Sequence, residues 1–213
     1  MQKLRLIGIA LLAALLGAGA ASPRPAVAED FTKEAGTFVG SLGDQAIQII
    51  TDKSLDPTGR ERRFHDMFVN SFDVPAIGRF VLGRYWRTAT DPQKAEFLKL
   101  FEDMIVKTYN NRFTEYKGEQ FAVIGTRADG DSAMVATNVV QPGGRPPVKV
   151  EWRVLKEDGK PKIVDVVIEG VSMSVTQQQE FGSVIQRSGG QVDGLLSTMR
   201  ERVQQQSAAA AKS

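Results

Sequence analysis

Val148-Lys149-Val150-Glu151-Trp152-Arg153-Val154 alternates without a break, apolar at the even positions and charged at the odd ones. A period of two sends the apolar set to one side of a strand and the charges to the other. Such a strand rests one face on a core and leaves one in water, as strands of antiparallel sheets do. Downstream, Glu157-Asp158-Gly159-Lys160 supplies a hairpin turn. Ile163 to Glu169 follows as a strand that is apolar at nearly every position. Upstream, Phe121 to Arg127 and Ser132 to Gln141 read as two more strands around the turn Ala128-Asp129-Gly130-Asp131. Pro142-Gly143-Gly144-Arg145-Pro146-Pro147 is a loop. The centre of the chain is therefore a meander of at least four antiparallel strands.

The period changes to helical on both sides of this meander. Phe31, Ala35, Phe38, Val39, Leu42, Ala46, Ile49 and Ile50 form one apolar stripe. Gly36, Gly40 and Gly43 interrupt it, at roughly 1 kcal/mol each against Ala, and close packing against a neighbour explains them. Asp56-Pro57 opens a second helix with Phe64, Met67, Phe68 and Phe72 on its apolar face. A short helix from Ala76 to Leu82 stops at Gly83. Asp91-Pro92 opens a long one, with Asp91 as cap, running to about Tyr116. Phe97, Phe101, Ile105, Tyr109 and Phe113 recur in it every four residues, and core packing is the default reading of that stripe. After Gly170, Thr176 and Gln179 suit a capping box. A last helix carries Val192, Leu195, Leu196, Met199 and Val203. The expected fold is α+β, with helices wrapped around a curled antiparallel sheet.

The chain has 213 residues, no Cys, one His and a formal charge of +2. Zero Cys excludes disulfides, thiolate chemistry and Cys-ligated metals. Residues 1–28 read as a secretory signal peptide: Lys3 and Arg5, an apolar run from Leu6 to Ala21, then Ala26-Val27-Ala28. Cleavage is expected after Ala28, with a single domain at 29–206 and a flexible tail at 207–213. Without the leader the chain holds 24 basic and 25 acidic residues, a net charge of −1. The mature protein thus offers no global electrostatic case for nucleic acid.

Chemistry-bearing motifs are scarce. No Gly-rich phosphate loop, H-E-x-x-H or G-x-S-x-G is present. His65 stands among Arg62, Arg63 and Asp66 and reads as a surface residue. Asp165 and Glu169 share a strand face, either as a carboxylate pair or as cross-strand partners of Lys149 or Arg153. Arg79, Arg84 and Arg87 surround Tyr85-Trp86 beside Phe80-Val81-Leu82. Their planar forks suit a phosphate head group; pairing with surface acids or stacking on Trp86 is the alternative.

Three blocks carry a resemblance. The first is Phe80-Val81-Leu82-Gly83-Arg84-Tyr85-Trp86, followed by Asp91-Pro92-Gln93 and the Phe-rich helix. The second is Val150-Glu151-Trp152-Arg153-Val154 with Lys162 to Met173. The third is Thr176-Gln177-Gln178-Gln179-Glu180-Phe181 through Gly194-Leu195-Leu196. In this order, behind a signal peptide, they resemble the MlaC family of periplasmic phospholipid shuttles, also called toluene-tolerance proteins. The resemblance implies an NTF2-like, helix-wrapped sheet enclosing an apolar cavity for acyl chains. It implies a binding protein, not an enzyme, with no cofactor and no metal. Its implied partners are a diacyl phospholipid, an inner-membrane MCE-domain ABC transporter and an outer-membrane lipoprotein–porin complex. A hopanoid-associated branch, HpnM, is an alternative, as is a non-catalytic periplasmic scaffold with a filled core. On this reading Phe72, Phe80, Val81, Phe97, Phe101, Ile105, Tyr109, Val139, Trp152 and Ile168 are expected to line the cavity. Tyr85 and Trp86 are expected near its mouth, and Arg79, Arg84 and Arg87 at the head group.

Overall fold

The computed structural model describes residues 26–112 and 115–210. The expected leader lies outside them apart from Ala26 to Ala28, and so do Phe113 and residues 211–213. Helix α1 (Ala26–Thr51) is followed by α2 (Pro57–Ser71), α3 (Val74–Leu82), a 3-10 turn (Gly83–Arg87) and α4 (Asp91–Arg112). Strands β1 (Gln120–Asp129), β2 (Ser132–Val140), β3 (Val148–Glu157), β4 (Lys160–Ile168) and β5 (Val171–Ser172) come next, then α5 (Met173–Arg187) and α6 (Val192–Ala210).

Local chemistry sets these boundaries. The Asp56 carboxylate accepts from the Gly59 N–H at 2.6 Å and starts α2. Asp73 does the same for α3 through Ala76 N–H at 2.9 Å, with Pro75 held in the first turn. α4 begins one residue earlier than its Asp-Pro signal suggests. Thr90 and Gln93 form the reciprocal box, Gln93 N–H donating to Thr90 Oγ1 and Thr90 N–H to Gln93 Oε1. The cap of α5 is Ser172, which accepts from Val175 N–H at 3.1 Å, rather than Thr176. Asp158 and Gly159 both take positive φ, 47° and 78°, as the tight β3–β4 hairpin requires.

The five strands lie in chain order, β1-β2-β3-β4-β5, every neighbouring pair antiparallel. β1 pairs only with β2, and β5 only with β4. The expectation of a curled, NTF2-like sheet enclosing an apolar cavity is therefore corrected to an open five-stranded sheet with surrounding helices. Closing a sheet requires its two edges to pair; here one edge is a two-residue strand. Helices cover the inner face instead, and their side chains fill the space beneath. Phe97 and Phe101 stack at 5.9 Å between centroids, and both meet Phe181 edge-on at 5.8 and 6.2 Å. All three are buried, as are Leu195, Leu196 and Met199 of α6.

Register assigns the faces. Phe121, Val139 and Val148 share one side with Val135 and Trp152, with Val154 and Ile163, and with Val150 and Ile168. This is the inner face. The outer face carries Arg127–Glu151 at 3.0 Å and Arg153–Asp129 at 2.8 Å, cross-strand ion pairs over the buried Met134. The α1 glycines face β1. A Cβ on Gly36 would come within 2.7 Å of Thr126 Cγ2, and one on Gly43 would collide with the Phe121 ring. At Gly40 the nearest atom, Val123 Cγ2, would lie at an ordinary 3.5 Å. The stripe thus lets the helix lie directly on strand β1.

Candidate functional site

The inner sheet face is finished differently along its length. Ala133, Val135, Val154 and Ile163 are completely buried beneath the helices. Elsewhere on it Phe121, Val139, Trp152 and Ile168 are only half-buried, around the buried Thr137 and Val150. Alternation put these side chains on one face; the helices cover only part of it.

An aromatic seam crosses that partly open region. Phe68 and Phe72 lie 4.7 Å apart at the end of α2. Phe72 meets the edge of Trp152 at 6.5 Å, and Trp152 meets Phe121 at 6.0 Å. Phe64 and Tyr109 add a tilted pair at 6.3 Å between α2 and α4. The one polar group of the Trp152 ring is satisfied within the seam: Nε1–H donates to Thr137 Oγ1 at 2.9 Å. The buried Thr137 hydroxyl in turn donates to Val150 O at 3.0 Å. The seam therefore presents ring faces and aliphatic edges with no unsatisfied indole, a surface for apolar groups.

Of the residues expected to line a cavity, Phe72, Ile105, Val139, Trp152 and Ile168 are half-buried, and Phe72, Val139, Trp152 and Ile168 belong to this region. Val81, Phe97 and Phe101 lie in the packed interior. Tyr109 is 39% exposed and Phe80 46% exposed, the latter on α3. Phe121, which the sequence marks only as a strand residue, belongs to the seam. Its signal was its place as the first apolar residue of an alternating run, in phase with Val123.

Tyr85, Trp86 and the arginines sit elsewhere. Lys94 stands over the Trp86 ring at 5.8 Å, in the first turns of α4. Tyr109 lies in the last turns, fifteen residues on, about 22 Å away along the helix. Arg84 donates to the Tyr85 hydroxyl at 2.8 Å and covers its ring at 4.9 Å. Arg84 and Arg87 line a cleft of about 680 Å³ with Tyr85, Thr88, Gln186 and Gln191. Among the described residues, Arg79, Arg84 and Arg87 form no ion pair with a carboxylate. A second cleft of about 400 Å³, between α1 and α2, is lined by Gln45, Gln48, Asp52, Arg63, Asp66 and Asn70 among others. Both clefts are polar-edged and open.

The titratable candidates have structural occupations. Asp165 accepts from Ser172 Oγ at 2.6 Å and from the N–H groups of Val166 and Ser174 at 2.9 and 3.1 Å, tying the start of α5 to β4. Glu169 accepts from Lys149 N–H at 2.6 Å, holding the end of β4 to β3. His65 is the polar clasp between α2 and α4: Nε2 lies 2.5 Å from Glu102 Oε1, and Nδ1 lies 3.4 Å from Asp66 Oδ1. Burial opposes its charged form, but the hydrogen bonds to Glu102 and Asp66 outweigh that and raise its pKa. Among the described residues no group of three His, Cys, Asp or Glu could hold a metal ion. No helix among them is long and apolar enough to cross a membrane.

Residues 41–201 match the family model described as MlaC protein. The intermembrane phospholipid transport system binding protein MlaC of Haemophilus influenzae is 26% identical over 132 residues, 60% of this chain and 61% of that protein. The toluene tolerance protein ttg2D of Pseudomonas putida is 25% identical over 123 residues, 57% of each. The chain thus spans about three fifths of the length of these relatives. A solved phospholipid-binding protein of Ralstonia solanacearum, in complex with a phospholipid, superposes with a TM-score of 0.71 at 24% identity. It covers 81% of this chain and 98% of that one, and shares its fold.

Proposed function

The chain belongs to the MlaC protein family, and from that premise we propose that it is a periplasmic lipid carrier. It shields the acyl chains of a diacyl phospholipid at the partly open region of the inner sheet face. The observation that carries this reading is the incompletely covered aromatic seam on that face: Phe72, Phe121, Val139, Trp152 and Ile168 are half-buried, while Ala133, Val135, Val154 and Ile163 are sealed. A filled core needs no such unfinished aromatic seam.

The energetics suit a carrier. Each methylene taken from water contributes about 0.8 kcal/mol, so a chain of some fifteen methylenes strongly prefers an apolar seam to solvent. A bilayer is equally apolar, and transfer from bilayer to seam is close to neutral. Neutrality lets one protein both load and deliver. Aromatic and β-branched walls with a single internally satisfied polar pair provide it. The rings of Phe68 and Phe72 reach the seam from the end of α2, so entering chains must displace them. Delivery partners follow the family: an inner-membrane MCE-domain transporter and an outer-membrane lipoprotein–porin complex.

Native mass spectrometry of the protein purified from the periplasm, with organic extraction of whatever it carries, tests this. The reading expects a stoichiometric adduct that extracts as diacyl phospholipid. A bare mass, unchanged after incubation with phospholipid vesicles, would refute it.

A further inference from the structure

The carrier reading uses the inner sheet face and leaves a second feature unexplained, at the seam of α3 and α5. Phe80 is 46% exposed and Val175 41% exposed. Gln178 Nε2 donates to the Phe80 carbonyl at 2.6 Å, and Val175 stands one turn before Gln178 on α5, so the two apolar side chains flank one line of contact. Exposed basic residues lie nearby in the chain. Arg79 precedes Phe80, Arg84 follows it by four residues, and Arg84 and Arg87 line the 680 Å³ cleft beside Gln186, with Arg187 next in sequence.

The charges on this face are unbalanced. Residues 74–90 carry three arginines and no acid, and residues 181–192 carry Arg187 and no acid. None of the four arginines reaches a carboxylate among the described residues. The bordering acids are engaged: Asp91 with Lys94 at 3.1 Å, and Asp193 with Gln93 Nε2 at 2.9 Å. Without residues 1–28 the chain is net acidic by one charge.

We propose that the face carrying Phe80, Val175, Arg79, Arg84, Arg87 and Arg187 is the surface by which the protein settles on an anionic lipid bilayer. Phe80 and Val175 enter the head-group boundary, as exposed aromatic and aliphatic side chains do at a lipid interface. The guanidinium groups take lipid phosphates, for which their fork geometry is suited. The cleft of Arg84 and Arg87 receives one head group. A bilayer fits better than an acidic protein: it supplies phosphates wherever an arginine falls, and it accepts the apolar pair in the same plane. The inference rests on the carrier reading only in needing a bilayer to visit. It separates lipid-surface recognition at the N-terminal end of α4 from chain shielding at the aromatic seam.

Co-sedimentation with vesicles tests it, using the exported protein expressed from the full chain. Vesicles of phosphatidylcholine alone are compared with vesicles containing 30% phosphatidylglycerol. Binding to the anionic vesicles is expected to exceed that to neutral ones and to weaken with added salt. R84Q/R87Q is expected to lower it about fivefold per arginine, close to twenty-five-fold in all. F80A is expected to weaken it further, while melting temperature and the lipid adduct seen by native mass spectrometry stay as in the parent. Equal binding to both vesicle types, binding to neither, or an R84Q/R87Q protein that binds like the parent overturns the proposal. Because the adduct is read separately, each of those results leaves the carrier reading standing or falling on its own measurement.

Discussion

Two regions of the same sheet face have opposite characters. At Ala133, Val135, Val154 and Ile163 the face is sealed, and in the same core the rings of Phe97, Phe101 and Phe181 interlock at 5.8 to 6.2 Å. At Phe72, Trp152 and Phe121 the rings form a chain of edge contacts, and neighbouring positions stay half-open. Both regions are built from Phe, Val and Ile. What differs is how far the cover reaches: α1 packs on β1 and β2, and α2, α3 and α5 on β4, yet Phe121, Val139, Trp152 and Ile168 keep part of their surface open. One region is closed core and the other keeps an apolar surface, although composition makes them alike.

Substitutions can separate the two roles. The largest effect is expected for Phe97→Ala, which opens a cavity in the sealed region and should cost about 3–5 kcal/mol in denaturant unfolding. A loss under about 1 kcal/mol would show that this region is not sealed. Phe121→Ala should cost only about 1–2 kcal/mol, since the ring is half-buried on an edge strand. Its main consequence should be lower lipid occupancy by native mass spectrometry. Equal occupancy in parent and variant would detach Phe121 from the site.

The glycine stripe sharpens the contrast through two substitutions of opposite sign. At Gly40 an added Cβ meets only an ordinary 3.5 Å contact, so Gly40→Ala should stabilise by up to about 1 kcal/mol through helix propensity. At Gly43 the Cβ displaces the Phe121 ring, so Gly43→Ala should destabilise by about 1 kcal/mol and lower occupancy with it. Thermal melts that rank the two the other way would break the α1–β1 packing. The smallest effect concerns His65. Its folded pKa is raised, so the clasp to Glu102 contributes fully below the unfolded value near 6.5 and is lost as pH rises through the folded value. The side chain is 38% exposed, and solvent screening keeps the contribution under about 1 kcal/mol. Melting profiles of parent and His65→Gln should diverge at acidic pH and converge at alkaline pH; parallel profiles would remove the clasp.

Much of the fold was legible because periodicity is local. The alternation at 148–154 placed Trp152 and Val150 on one face, and register confirms that placement. The glycines at 36, 40 and 43 announced close packing, and β1 is what they meet. The caps lie at Thr90 rather than Asp91 and at Ser172 rather than Thr176. The expected curl is absent, and its absence was not legible: closure depends on which edges meet, and a two-residue β5 leaves no period to read. The site was half legible. Val139, Trp152 and Ile168 share a face by alternation, but nothing in the four-residue spacing of α4 tells a sealed Phe101 from an open Tyr109. Tertiary cover decides that. The role of Asp165 as anchor of α5 required knowing that β4 and the helix start meet.

The most direct test of the account is photocrosslinking with a diacyl phospholipid bearing a diazirine on one acyl chain, followed by peptide mapping. The account predicts adducts on β1, on the end of β2 and on β3, at or beside Phe121, Val139 and Trp152, together with Phe72. Adducts confined to the polar cleft between α1 and α2, or absent from the sheet altogether, would contradict it.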